Sequence, residues 1–268
     1  MNPLLVFHLV GTIAAVGVAV SSLEYLAILP QFAGNSIFSW KVFGSRLPPL
    51  ASPGIDLARD RLLGQSGVRA ILFARLTAGI VMGIPSLPVS VTAAAAFVVL
   101  ATGAALTYRC GFGEDGSDQM LMIVAAGLCA FAVIPASSPW RPMGLWFIAA
   151  QSALSYGVAG FAKLFSPVWR SGEASLLIFR TMTYSTEPIA RVLQRSPLAQ
   201  LALAWTTIAF ECLFPLALIA PREVTIAFLI VGGTFHVLNA VVMGLNIFFW
   251  AFVAAYPAVF LLRDAIAK

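Results

Sequence analysis

The sequence predicts an all-α integral membrane protein: a polytopic helical bundle of about eight transmembrane helices plus interfacial helices. Three observations carry this expectation. Of 268 residues, 60% are hydrophobic and only 10% charged, whereas soluble domains carry roughly 25% charged residues. The mean hydropathy is +0.93, more apolar surface than a soluble fold of this length could hide. The apolar residues also gather into runs of about 20, the length that crosses a bilayer as a helix, with Pro and Gly between them.

The first run, 4–29, is too long for a signal-peptide core and has no basic segment before it, so it is expected to stay as a transmembrane helix. Spans follow near 67–86, 88–108, 118–136, 143–164 and 199–220. Pro85, Pro88, Pro135, Pro139 and Pro142 mark the short connections among them. Residues 224–262 form one apolar tract, too long for a single span. Gly244 with Asn246 is the one break it offers, which gives spans 224–242 and 245–262. On this reading residues 1–66 hold the first helix and a polar loop, and 67–268 form the helical membrane core.

Two longer polar segments remain. Residues 30–66 contain "SRLPPLASPGIDLARDRLLG", in which Pro and Gly interrupt any long helix. In 165–198, Leu176, Leu177 and Phe179 mix with charge as in a helix lying at the membrane surface. Pro188 can open a second short helix, with Arg191 and Arg195 on one face.

The net charge of +5 belongs to orientation and anionic headgroups in such a chain, so membrane lipids are the expected partners and nucleic acid is not. With eight spans, eleven of the 16 Lys and Arg fall on one side, among them Lys41, Arg46, Arg69, Arg109, Lys163, Arg191 and Arg195. Arg141, Arg222, Arg263 and Lys268 fall on the other. The first side is then cytoplasmic, both termini face outward, and a bacterial cytoplasmic (inner) membrane is the expected location. Cys110, Cys129 and Cys212 form no CxxC pair. They read as packing residues, with neither a disulfide framework nor a metal site expected.

Ionisable side chains within spans are costly and point to function by default. Glu24 lies near the end of the first span, and Arg75 in the second is a suitable structural partner for it. Asp118 and Gln119 open the fourth span, where an aspartate is a natural N-cap. Glu114 and Asp115, just before, are expected in solvent. Glu211 sits in mid-span in "AFECLFPLAL". Pro215, four residues on, withdraws the N–H that would bond to the Glu211 carbonyl. His236, Asn239, Met243 and Asn246 share one helix face as far as the helix continues past Gly244, a stripe suited to a cavity wall. Gly232 and Gly233 would allow close packing beside it. Lys163 closes the fifth span, where a lysine ordinarily snorkels to the headgroups.

Several segments together resemble one family. "QSALSYGVAGFAKLFSPVWRSGEAS" resembles the lysine segment of the HTTM family, the membrane core of vitamin K-dependent gamma-carboxylase and its short bacterial relatives. An aromatic, "VAG", a lysine, then tryptophan and glycine recur there in this order. "GSDQMLMIVAAGLCAFAVIP" looks like the family's upstream span, "AFECLFPLAL" like its acidic span, and "FHVLNAVVMGLNIFFWAFVAAYPAVF" like its closing helix pair. The likeness runs from about residue 67 to 262.

The resemblance implies Lys163 as a base that deprotonates a vitamin K-like quinol. His236, Asn239 and Glu211, with Asn246 and Gln119, would bind or orient the ligand. Where the carboxylase has a functional histidine, this chain reads Ser117-Asp118-Gln119, and the resemblance covers no substrate-holding domain. Two functions follow as expectations. One is a membrane enzyme acting on a quinol or other lipid-soluble substrate. The other is a non-enzymatic membrane partner or maturation component that docks another protein through the basic loops 30–66 and 165–198. A transporter finds less support, because no paired broken helices occur in two matching halves.

Overall fold

The computed structural model describes residues 1–34, 36, 38–45, 53–110, 116–184 and 186–267. Arg46, Glu114, Asp115 and Lys268 lie outside these. The described residues are helical with no strand: α1 (Pro3–Ala27), α2 (Trp40–Gly44), α3 (Pro53–Leu63), α4 (Gln65–Met82), α5 (Val89–Cys110), α6 (Gly116–Val133), α7 (Met143–Phe165), α8 (Pro167–Arg170), α9 (Glu173–Arg180), α10 (Glu187–Arg195), α11 (Pro197–Leu213), α12 (Arg222–Met243) and α13 (Asn246–Ile266). Seven of them are long and apolar enough to cross a membrane: α1, α5, α6, α7, α11 with the 3-10 turn that extends it, α12 and α13. Their length and composition mark an integral membrane protein.

The eighth expected span, 67–86, is present as the helix α4 but does not join the seven. Gln65, Arg69 and Arg75 dilute its apolar run. The single break expected in 224–262 falls at Gly244, whose φ of +73° caps α12 before α13 begins. That left-handed geometry suits glycine, which has no Cβ to clash. Pro215 ends α11 as a regular helix, and residues Phe214–Leu218 continue as a 3-10 turn. The surface helices also form where the charge pattern placed them. Pro188 stands in the first turn of α10, and Arg191 and Arg195 are exposed on it.

The chain divides into two compact units, Phe7–Gly144 and Leu145–Lys268 with Met1–Val6. In the first, Phe7 stacks on Phe131 at 4.8 Å, and Leu29, Val68, Ile71, Leu72 and Leu106 form a buried apolar cluster. Two buried arginines organise this unit. Arg75 donates to the Val99 carbonyl at 3.1 Å and pairs with Asp118 at 3.5 Å. Asp118 also accepts from the Ser21 hydroxyl at 3.2 Å, so its carboxylate ties α1 and α4 to α6. Arg109 donates to the carbonyls of Leu63 and Phe38. Its guanidinium lies 5.1 Å from the ring centre of Phe32, 5.4 Å from that of Trp40 and 5.7 Å from that of Phe43. Carbonyls and aromatic faces thus hold the cation.

Candidate functional site

The second unit brings Lys163, Glu211 and His236 into one neighbourhood through a single face of α7. Tyr156, Gly160 and Lys163 stand at i, i+4 and i+7 on that helix and therefore point the same way. Each meets a different part of the unit.

Lys163 is at the end of α7. Its ammonium donates to Glu211 Oε2 at 2.6 Å and lies 5.2 Å from the ring centre of Trp169. The Glu211 side chain is only 6% exposed and that of Lys163 20%. Lys163 is thus turned back onto a buried carboxylate and covered by an indole, where a snorkelling lysine would extend to the headgroups. A short N–H···O contact between unlike charges in poor solvent is among the stronger side-chain interactions.

Gly160 makes this reach possible. A Cβ there would stand 2.5 Å from the Cys212 nitrogen and 2.8 Å from the Glu211 carbonyl carbon. No real Cβ approaches backbone so closely, so α7 and α11 are in contact only because residue 160 has none.

Tyr156 lies two turns deeper, about 10 Å along the helix axis. Its hydroxyl shares hydrogen bonds with His236 Nε2 at 2.6 Å and with the Tyr256 hydroxyl at 2.9 Å. All three residues are buried. Aromatic rings close around them: Phe214 lies 3.9 Å from the Tyr156 ring, and Phe252 lies 4.7 Å from His236 in a stacked pose. Tyr156 has one proton and two partners, so the tautomer of His236 sets the direction of the chain. His236 Nδ1 is buried and has no hydrogen-bond partner among the described residues. Gly232 lies against the Tyr256 hydroxyl.

The remaining expected site residues are placed differently. Asn239 is half-buried on α12, three residues beyond His236. Asn246 is exposed and opens α13, so the polar stripe stops at Met243 where α12 ends. Gln119 is exposed on α6 in the first unit. Arg75 pairs with Asp118, and both Arg75 and Glu24, which stands at an exposed position near the end of α1, make further interactions. Asp118 joins a buried network in addition to lying in the first turn of its helix.

Sequence reading assigned no role to Tyr156, Tyr256 or Trp169. For Tyr156 a signal existed: it is seven residues from Lys163 and so on the same helix face. Among the described residues no three His, Cys, Asp or Glu side chains gather as a metal site. Among the described residues Cys129 and Cys212 form no disulfide. Compared with protein-family models, curated proteins and solved structures, the chain matches none.

Proposed function

We propose that this chain is an HTTM-like enzyme of a bacterial cytoplasmic membrane that takes a proton from the hydroxyl of a quinol or similar lipid-soluble substrate. The observation that carries the reading is the 2.6 Å contact between Lys163 and the buried Glu211. It supports a refined role for the lysine: the base is the pair. When a substrate hydroxyl arrives, its O–H bond breaks and the proton passes to the Glu211 carboxylate. The Lys163 ammonium then stays beside the new oxyanion and stabilises it. If the shared proton already rests on Glu211, the Lys163 amine accepts the substrate proton itself. Of the two α12 groups, the half-buried Asn239 orients the ligand, while His236 is closed in by its aromatic neighbours and bonded to Tyr156. A substrate that dissolves in lipid reaches a helix end without crossing water.

Trp169 supplies the readout, because its indole lies against Lys163. Menadione, a quinone, is expected to quench the Trp169 part of the fluorescence in detergent micelles, and Trp169→Phe identifies that part among the six tryptophans. Lys163→Ala should weaken the quenching at least about tenfold. Quenching of equal strength in Lys163→Ala, or none in the wild type, would remove quinones as ligands of this site.

One observation favours a second reading, a non-enzymatic partner. The α10 helix exposes Arg191 and Arg195 on a surface where Arg191 pairs with Glu187 at 3.8 Å, the two side chains 61% and 80% exposed. Such a pair contributes little stability, so this face is open to an acidic protein. Co-purification of a stoichiometric partner, lost in Arg191→Ala/Arg195→Ala, supports that reading, and a solitary chain counts against it.

A further inference from the structure

The first unit carries a feature that the proposed function does not use. Along α4 and α5 runs a shallow groove of about 520 Å³. Ala78 and Ala95 are buried at its floor, and Phe73, Ala74, Val91 and Val98 stand exposed beside them. The lining residues recur at helical spacing, so one face of each helix contributes. Phe73 is 54% exposed, Val91 40% and Val98 37%, so the groove is open along its length. Apart from the Thr77 hydroxyl, the lining side chains are apolar.

Arg69 precedes Phe73 by four residues and therefore lies on the same face of α4, one turn nearer the helix start. It is exposed. Unlike Arg75 six residues on, it takes part in no hydrogen bond or ion pair among the described residues. A cation one turn inside the end of such a helix extends its head to the level of the phosphates while its stem covers apolar surface.

We infer that this groove is a binding site for one anionic phospholipid, its phosphate on Arg69 and one acyl chain lying between Phe73 and Val98. The combination is what a phospholipid presents: a fixed negative charge above a flexible apolar chain. The small side chains of Ala78 and Ala95 leave room for a chain between the flanking residues. A helix from another protein would fit the apolar part, but it would need an acid one turn above it to satisfy Arg69. The inference stands apart from the Lys163 site, because both helices belong to the first unit.

The test uses the full chain in a neutral detergent, titrated with phosphatidylglycerol or with phosphatidylcholine and read by native mass spectrometry. Phosphatidylglycerol should be retained one per chain and in preference to phosphatidylcholine. Arg69→Gln should lower its retention about fivefold, which is about 1 kcal/mol converted at RT. Ala94→Phe, at an exposed lining position, fills the slot without entering the core and should lower retention of the acyl chain whatever its headgroup. Equal retention of the two lipids, or unchanged retention in Arg69→Gln, overturns the headgroup assignment. Unchanged retention in Ala94→Phe overturns the groove. A dimer that Ala94→Phe dissociates, with no lipid preference, replaces the lipid by a second copy.

Discussion

At the residue scale, Lys163 and Glu211 stabilise the second unit only as a pair. With one partner gone, a charge remains in poor solvent, and breaking a buried pair this way costs 3–5 kcal/mol in general, at the lower end where one partner reaches the surface. Lys163→Ala should therefore lower unfolding stability by about 3 kcal/mol, whereas Lys163→Leu/Glu211→Leu should cost less than the single change. Thermal unfolding in micelles compares them. Tyr156→Phe removes two buried hydrogen bonds and should cost about 2 kcal/mol, against about 1 kcal/mol for Tyr256→Phe, which removes one. Glu211 and His236 stand out in the sequence as ionisable groups in apolar runs, whereas Lys163, at a span end, reads as a snorkelling anchor and is singled out only by the resemblance. Their partners were not legible. Glu211 is 48 residues from Lys163, and which acid meets which base depends on helix packing. Arg75 shows the same point, since it also pairs with Asp118, 43 residues on. Tyr156 and Tyr256 were invisible as polar groups because a tyrosine amid apolar residues reads as one more aromatic.

At the element scale, the approach of α7 to α11 decides whether the pair can form. Gly160→Val should push the helices apart and destabilise the protein by about 2 kcal/mol or more. It should also weaken menadione quenching as Lys163→Ala does, although the lysine is still present. Unchanged quenching would show that Lys163 does not need this contact. In the first unit, Asp60 of α3 accepts from the Trp40 indole at 2.9 Å, and this hydrogen bond holds its carboxyl below the ordinary aspartate value. A depressed carboxylate stabilises above the ordinary pKa and loses that contribution as pH falls through the lowered one. Trp40 fluorescence should therefore shift on acidification below the ordinary aspartate range, and Asp60→Asn should abolish the shift. Helix breaks were the most legible elements. Gly244 and Pro215 act through their own backbone chemistry, which needs no tertiary context. The α4 helix was legible as a helix, but Arg69 and Arg75 separate it from the seven apolar ones. Their roles depend on what surrounds them, Asp118 and the Val99 carbonyl for Arg75 and an open groove for Arg69.

At the scale of the whole molecule, composition alone set the class. A chain with 60% hydrophobic residues and seven long apolar helices has lipid as its main solvent, so each buried ion pair has a function or a packing reason. The division into two units could not be read from a sequence with no composition shift near residue 144. The Lys163–Glu211 pair and the Tyr156–His236–Tyr256 chain belong to one unit, and the arginine networks belong to the other. The central claim is that the Lys163–Glu211 pair takes a proton from a lipid-soluble hydroxyl. A deprotonated quinol reacts with oxygen faster than the neutral one, so proton removal can be followed as oxygen uptake. The deciding measurement is menadiol-dependent oxygen uptake by liposomes carrying equal amounts of folded wild-type or Lys163→Ala protein. The account predicts uptake above that of empty liposomes in the wild type and a fall of at least about 100-fold in that increment in the variant, the usual contribution of a positioned base. Equal uptake by the two proteins would contradict it.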